Sequence, residues 1–165
     1  MRIIKDVKQD EVWNHWKTVE GFTTDDFRSD IRNPLPADLS WFLAILEKED
    51  ISSLFIISSD DWKQERVCDP DFKLTTAIKN YSDTPSSNGK YGDIRAKEAV
   101  LSSNSNMLDT KLILVSESKV GPFTILEGNK RAIALGQLGK MIGLEIFCGI
   151  SPRIKDYVWA RCSRK

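Results

Sequence analysis

The chain has 165 residues, 41% of them hydrophobic and 29% charged, and 24 Lys and Arg balance 24 Asp and Glu to a formal net charge of zero. That composition buries a real core, which excludes an intrinsically disordered protein, and its neutrality argues against a nucleic-acid reader with a strong basic excess, so DNA is not an expected partner. No apolar stretch approaches the length of a membrane span and the opening Met-Arg-Ile-Ile-Lys-Asp lacks secretory features, so the expectation is a single domain over residues 1–165 in the cytosol, with no membrane partner.

The first predicted element is a helix over residues 10–18, where Val12, Trp13, Trp16 and Val19 follow spacing close to i, i+3, i+4, i+7. Residues 21–33 mix Phe22 and Phe27 with Asp25, Asp26, Arg28, Asp30 and Arg32 and then meet Pro34 and Pro36, the pattern of a connector or a binding arm. A second helix is expected after Ala37, with Asp38 as N-cap and Leu39, Phe42, Leu43 and Leu46 as its buried stripe, ending near Glu49 or Asp50. Residues 1–50 thereby read as a helical N-terminal part.

Leu54, Phe55, Ile56 and Ile57 form a short continuous apolar run, expected to be a strand buried on both faces. Asp69-Pro70-Asp71 marks a turn, and residues 74–78 suit either a strand or a helical turn. Residues 82–92 form a polar loop or lid. A third helix, 93–101, starts at Asp93 and packs through Ile94, Ala96, Ala99 and Val100, with Arg95 and Lys97 projecting away.

Residues 112–115 and 123–126 are predicted strands joined at Gly121-Pro122, too short a connection for a crossover helix, so they form an antiparallel hairpin. A helix over 131–138, a strand over 144–150 and a final helix from Ser151-Pro152 carrying Tyr157, Val158 and Trp159 complete the chain. This order implies an α+β fold, a small mixed sheet with flanking helices.

The chemistry concentrates in residues 124–135, Thr-Ile-Leu-Glu-Gly-Asn-Lys-Arg-Ala-Ile-Ala-Leu, where a β-type run breaks at Gly128 and restarts as a helix. A glycine there permits close backbone approach, the following helix offers unpaired N–H groups and a positive dipole end, and Lys130 and Arg131 add full charges. An anionic small molecule or nucleotide is the indicated ligand; the same residues also suit an ordinary turn with two solvated basic side chains. Residues 111–165 carry ten Lys or Arg against four Asp or Glu, so the junction sits in the basic part of the chain. Glu127, beside the glycine, is the candidate catalytic residue, able to hold magnesium on a nucleotide or accept a proton, or else simply to balance its basic neighbours.

Other constellations are poor. His15 is the only histidine and reads as structural, and Cys68, Cys148 and Cys162 suggest neither a disulfide framework nor a zinc site. No metal site is predicted in the protein itself, and Asp25, Asp26 and Asp30 read as surface charge. Trp41 and Trp159 read as core, while Trp13, Trp16 and Trp62 are candidate contacts for a protein partner through the N-terminal half.

Ile-Leu-Glu-Gly-Asn-Lys-Arg-Ala-Ile-Ala-Leu, with Phe-Cys-Gly-Ile-Ser-Pro-Arg downstream, resembles the ParB/sulfiredoxin-like superfamily, over residues 111–161, or roughly 93–161 if the preceding helix belongs. In that superfamily Gly-x-x-Arg joins a strand to a helix and binds nucleotide phosphates. The resemblance implies a nucleotide- or phosphometabolite-binding domain in which Gly128, Asn129, Lys130 and Arg131 cradle phosphate. Arg95, projecting from the third helix, is a further candidate ligand-binding residue. Nucleotide hydrolysis or phosphotransfer by Glu127, with magnesium and a nucleoside phosphate as cofactors, is the enzymatic form of this expectation. Asn129 stands where sulfiredoxins carry their nucleophilic cysteine, which argues against sulfinic-acid reduction. The alternative is a non-catalytic protein-interaction adaptor that keeps the fold without a ligand.

Overall fold

The computed structural model describes residues 1–103 and 111–160. Strands β1 (Arg2–Val7), β2 (Ser40–Ile45), β3 (Leu54–Ile56), β4 (Leu112–Ser116), β5 (Phe123–Glu127) and β6 (Glu145–Ile150) form one sheet of order β1-β2-β6-β4-β5-β3. The β1-β2, β2-β6 and β4-β5 pairs are antiparallel, whereas β4-β6 and β3-β5 are parallel, so the sheet is mixed and the architecture is α+β. Among the described residues six α-helices accompany it: α1 (Gln9–Glu20), α2 (Ser29–Arg32), α3 (Asp60–Gln64), α4 (Leu74–Asp83), α5 (Gly89–Ser103) and α6 (Asn129–Gln137).

The hairpin expected around Gly121-Pro122 is β4-β5, with Leu114 opposite Ile125 and Val115 opposite Thr124. Helix α6 then returns the chain so that β6 lies parallel to β4, with Ile113 beside Phe147 and Leu114 beside Cys148. Both strands are almost wholly buried, as their near-continuous apolar sequences require. Helix α1 packs through Trp13 on Trp41 of β2 and His15 on Phe147 of β6, with ring centroids 5.2 Å apart in each case. On α6, Gly136 leaves room that a Cβ would take from Ile78 of α4.

Several expectations require correction. The second helix does not form: residues 40–45 are strand β2, and residues 1–50 hold two strands and are not a helical part. Ser-Trp-Phe-Leu-Ala-Ile is a continuous apolar run whose aromatic and β-branched members suit a pleated surface, and sheet partners on both sides override the helical spacing. Asp38 caps nothing there; its carboxylate accepts from Ser151 Oγ at 2.9 Å. The run ends in a 3-10 helix, Lys48–Ser53, where Glu47 N–H donates to Asp50 Oδ2 at 2.8 Å. Strand β1 was not anticipated because Arg2, Lys5 and Asp6, together with an irregular register between Ile3 and Lys5, hide its alternation.

The final helix is also corrected. Pro152 opens only a 3-10 helix, Pro152–Asp156, after which Tyr157 Oη donates to the Ile31 carbonyl at 2.9 Å and Trp159 Nε1 to the Asp30 carbonyl at 3.0 Å. Tyr157 is extended and the chain then turns, Ala160 N–H donating to the Tyr157 carbonyl at 3.0 Å, so no helix continues. Residues 74–78, left open above, are helical within α4, and the polar loop is confined between α4 and α5, because α5 begins at Gly89 where Glu65 accepts from Lys90 N–H at 2.6 Å. Strand β3 lies at the sheet edge, yet Leu54 and Ile56 are fully buried because residues 72–73 cover it, Ile56 N–H donating to the Phe72 carbonyl at 2.8 Å. Among the described residues no helix is long and apolar enough to cross a membrane.

In β6, Gly149 lies under the Trp41 indole: a Cβ there would stand 2.9–3.0 Å from three ring carbons. Gly149→Val is expected to destabilise the protein by about 1–3 kcal/mol. Urea unfolding should show a lower midpoint at unchanged slope, and an unchanged midpoint would mean that the indole yields freely.

Candidate functional site

Gly128 sits in the left-handed region at φ 90° and turns β5 directly into α6. Leu112 and the Arg131 guanidinium both occupy the volume a Cβ would need, so the position demands glycine for conformation and for space. The first intrahelical bond is Ala132 N–H to the Gly128 carbonyl at 2.7 Å, which leaves the N–H groups of residues 129–131 without helical partners. They open on a cleft of 470 Å³, lined by residues 126–131 together with Val19 and Glu20 of α1, Arg28, Asp30 and Ile31 of the connector, Ile57, Ser59, Asp61 and Trp62, and Lys90 and Lys97 of α5.

The structure brings Glu127, Gly128, Asn129, Lys130 and Arg131 together, in distinct roles. The Asn129 side chain is buried, and its Oδ1 accepts from Ile57 N–H at 3.2 Å, which ties the junction to the end of β3. Lys130 is half-exposed and ion-paired with Asp93 of α5. Arg131 turns back on the junction: its Nη2 donates to Glu127 Oε2 at 3.1 Å and to the Lys111 carbonyl at 3.2 Å. Its Nε is buried without a hydrogen-bond partner among the described residues. The Lys111 carbonyl also lies 3.0 Å from His15 Nε2, so the lone histidine belongs to the support of this turn.

Glu127 and Arg131 are only 12% and 11% exposed, and burial dominates both. Desolvation pushes the Glu127 carboxyl up against the opposing pull of Arg131, and desolvation lowers the Arg131 guanidinium against the pull of Glu127. The pair therefore fixes geometry at a desolvation cost, rather than adding net stability.

Arg95 is not part of the cleft. Its Nε donates to the Ser86 carbonyl at 3.1 Å and its Nη2 to the Thr84 carbonyl at 2.5 Å, with the guanidinium 4.8 Å from the Tyr81 ring centre. It pins the loop between α4 and α5, a role favoured because a planar guanidinium satisfies two carbonyls while stacking. Trp16 and Trp62 are buried in the core, which withdraws them as partner contacts, while Trp13 is half-buried against Trp41. Cys68 and Cys148 are buried, and the Cys68 thiol lies 3.9 Å from the Trp62 carbonyl; Cys162 lies outside the described residues.

Sequence reasoning missed the opposite wall. Lys90 is 9% exposed, donates to Asp61 Oδ2 at 2.7 Å and stands 4.6 Å from the Trp62 ring centre; Ser59 Oγ donates to the other Asp61 oxygen. Arg28, at φ 48°, grips Glu20 with two bonds of 2.7 and 3.0 Å. The available signal was the i, i+3, i+7 stripe of Lys90, Asp93 and Lys97 on α5, obscured because its first turn lies in a stretch rich in Ser, Asn and Gly.

Arg131→Met leaves the Glu127 carboxylate buried without its partner and is expected to cost about 3–5 kcal/mol, with the Glu127→Gln/Arg131→Met double variant recovering most of the loss. Chemical denaturation of wild type, Arg131→Met, Glu127→Gln and the double variant checks this, and additive losses would show that the two side chains do not act as a pair. Comparison of the chain with protein-family models, with curated proteins and with solved structures returns no match to any of them.

Proposed function

We propose that the cleft at the β5-α6 junction binds a nucleotide or another phosphorylated metabolite, in a domain of ParB/sulfiredoxin-like type. The observation that carries this reading is the α6 N-terminus, which Gly128 opens onto a cleft that also presents Lys130 and Lys97. Unpaired main-chain N–H groups, a helix dipole and two ammonium groups are what phosphate oxygens require. The volume of 470 Å³ lies within the range of small-molecule sites. The succession of hairpin, Gly-x-x-Arg helix and parallel strand supports the same reading.

The role of Arg131 in this proposal is narrower than direct chelation. Its guanidinium is committed to Glu127 and Lys111 through Nη2, so it shapes the turn. Phosphotransfer or hydrolysis would fall to Glu127, whose raised proton affinity from burial suits proton transfer. Among the described residues no three His, Cys, Asp or Glu side chains gather as a metal cage. Magnesium enters the reading only as the ion that accompanies a nucleoside di- or triphosphate, held by phosphate oxygens and one carboxylate; Asp30 is the cleft acid without an ion pair among the described residues.

Thermal unfolding with ATP, ADP, CTP and cyclic nucleotides tests the proposal. A ligand at a hundredfold excess over its Kd stabilises by about 2.7 kcal/mol, which raises Tm by about 5 °C or more for a chain of this size. The same ligand should give a clearly smaller rise with Lys130→Ala, whose exposed side chain makes misfolding no concern. No shift with any of these ligands at millimolar concentration would overturn the reading.

A further inference from the structure

Every basic side chain around the α6 N-terminus except Lys97 is already held by a carboxylate: Lys130 by Asp93, Lys90 by Asp61 and Arg131 by Glu127. Asp93 differs from the other two acids in its setting. Glu127 is buried, and Asp61, although 61% exposed, is anchored within its own segment by Ser59 Oγ and by Trp62 N–H at 3.0 Å, whereas the 57% exposed Asp93 carboxylate accepts only from Lys130 among the described residues. The Lys130 hydrogen bond holds the Asp93 carboxyl below its ordinary value, with Lys90 and Lys97 adding to the same effect. One exposed carboxylate thus shares the field of three lysines, one of which has no ion-pair partner among the described residues.

Building on the phosphate-cleft reading, we propose that Asp93 is a stand-in for the ligand's terminal phosphate, bound to Lys130 in the empty protein and displaced when the ligand arrives. This assigns the ligand's chemical class. Displacing a carboxylate from this group of lysines favours only an anion with more charge and more acceptor oxygens, and a terminal phosphate carries between one and two charges on three oxygens. The selected ligand therefore ends in a free terminal phosphate, and a phosphodiester with a single charge is disfavoured. The exchange also keeps the latch weak: an exposed ion pair contributes little, so displacement costs little.

Calorimetric titration with ADP, inorganic pyrophosphate and cyclic AMP tests this in the wild-type protein and in Asp93→Asn, Asp93→Glu, Lys97→Ala and Lys130→Ala. Asp93→Asn should bind ADP and pyrophosphate about three- to tenfold more tightly, and should narrow the preference for them over cyclic AMP. Lys97→Ala should bind both about three- to tenfold more weakly, and Asp93→Glu, which keeps the charge, should resemble wild type. Unchanged or weaker ADP binding by a normally melting Asp93→Asn protein, with binding still lost in Lys130→Ala, overturns the stand-in while leaving the cleft reading intact. Absence of binding in both wild type and Asp93→Asn removes the cleft reading and the stand-in with it.

Discussion

The structure turns on one backbone conformation. At φ 90°, Gly128 changes the chain from the last residue of β5 to the first turn of α6 without an intervening loop, and its missing side chain is the space in which Leu112 and the Arg131 guanidinium meet. Everything about the candidate site follows from that. The unpaired amides of α6 face the cleft because the helix starts at once; Arg131 reaches back to Glu127 because it lies one turn on; and Asn129, first in the helix, is placed to accept from Ile57. A side chain at 128 would strain the turn and displace the ion pair together.

The cleft is electrically quieter than the basic excess of the surrounding sequence suggests. Its cations are matched within the fold by acids: Asp93, from outside the basic part of the chain, for Lys130, Asp61 for Lys90 and Glu20 for Arg28. Long-range attraction of anions is consequently modest, and on the proposed reading affinity would come from local exchange of one acceptor for another and from the helix amides. Such a site would discriminate among anions rather than gather them, since an incoming group would have to outcompete a carboxylate.

How much of this was legible in the sequence depended on how local the determining interactions are. The β4-β5 hairpin, α1, α6 and β6 were readable because a turn with Gly121-Pro122, a helical stripe of Val12 and Trp16, and a continuous apolar run each speak for themselves. Strand β2 was misread because Leu39, Phe42, Leu43 and Leu46 match a helix locally, while their fate was settled by β1 and β6, which begin 38 residues before it and 105 residues after it. Tyr157 and Trp159 likewise obey carbonyl acceptors at Ile31 and Asp30 that no local pattern discloses. The same distinction divides the site. Residues 127–131 are contiguous and were found, whereas Lys90, Asp61 and Arg28 reach the cleft only through tertiary packing, and Arg95 was drawn off by carbonyls of a neighbouring loop.

Strand β6 lies between β2 and β4, so the two antiparallel segments β1-β2 and β4-β5 share no direct pairing and are bridged solely by residues 145–150. On a growing polypeptide, the early strands emerge long before the one that joins them. Trp41 and its neighbours must wait with an open edge until that keystone is synthesised, which makes assembly of this sheet a late, long-range event and leaves the nascent N-terminal portion in need of shielding in the interim.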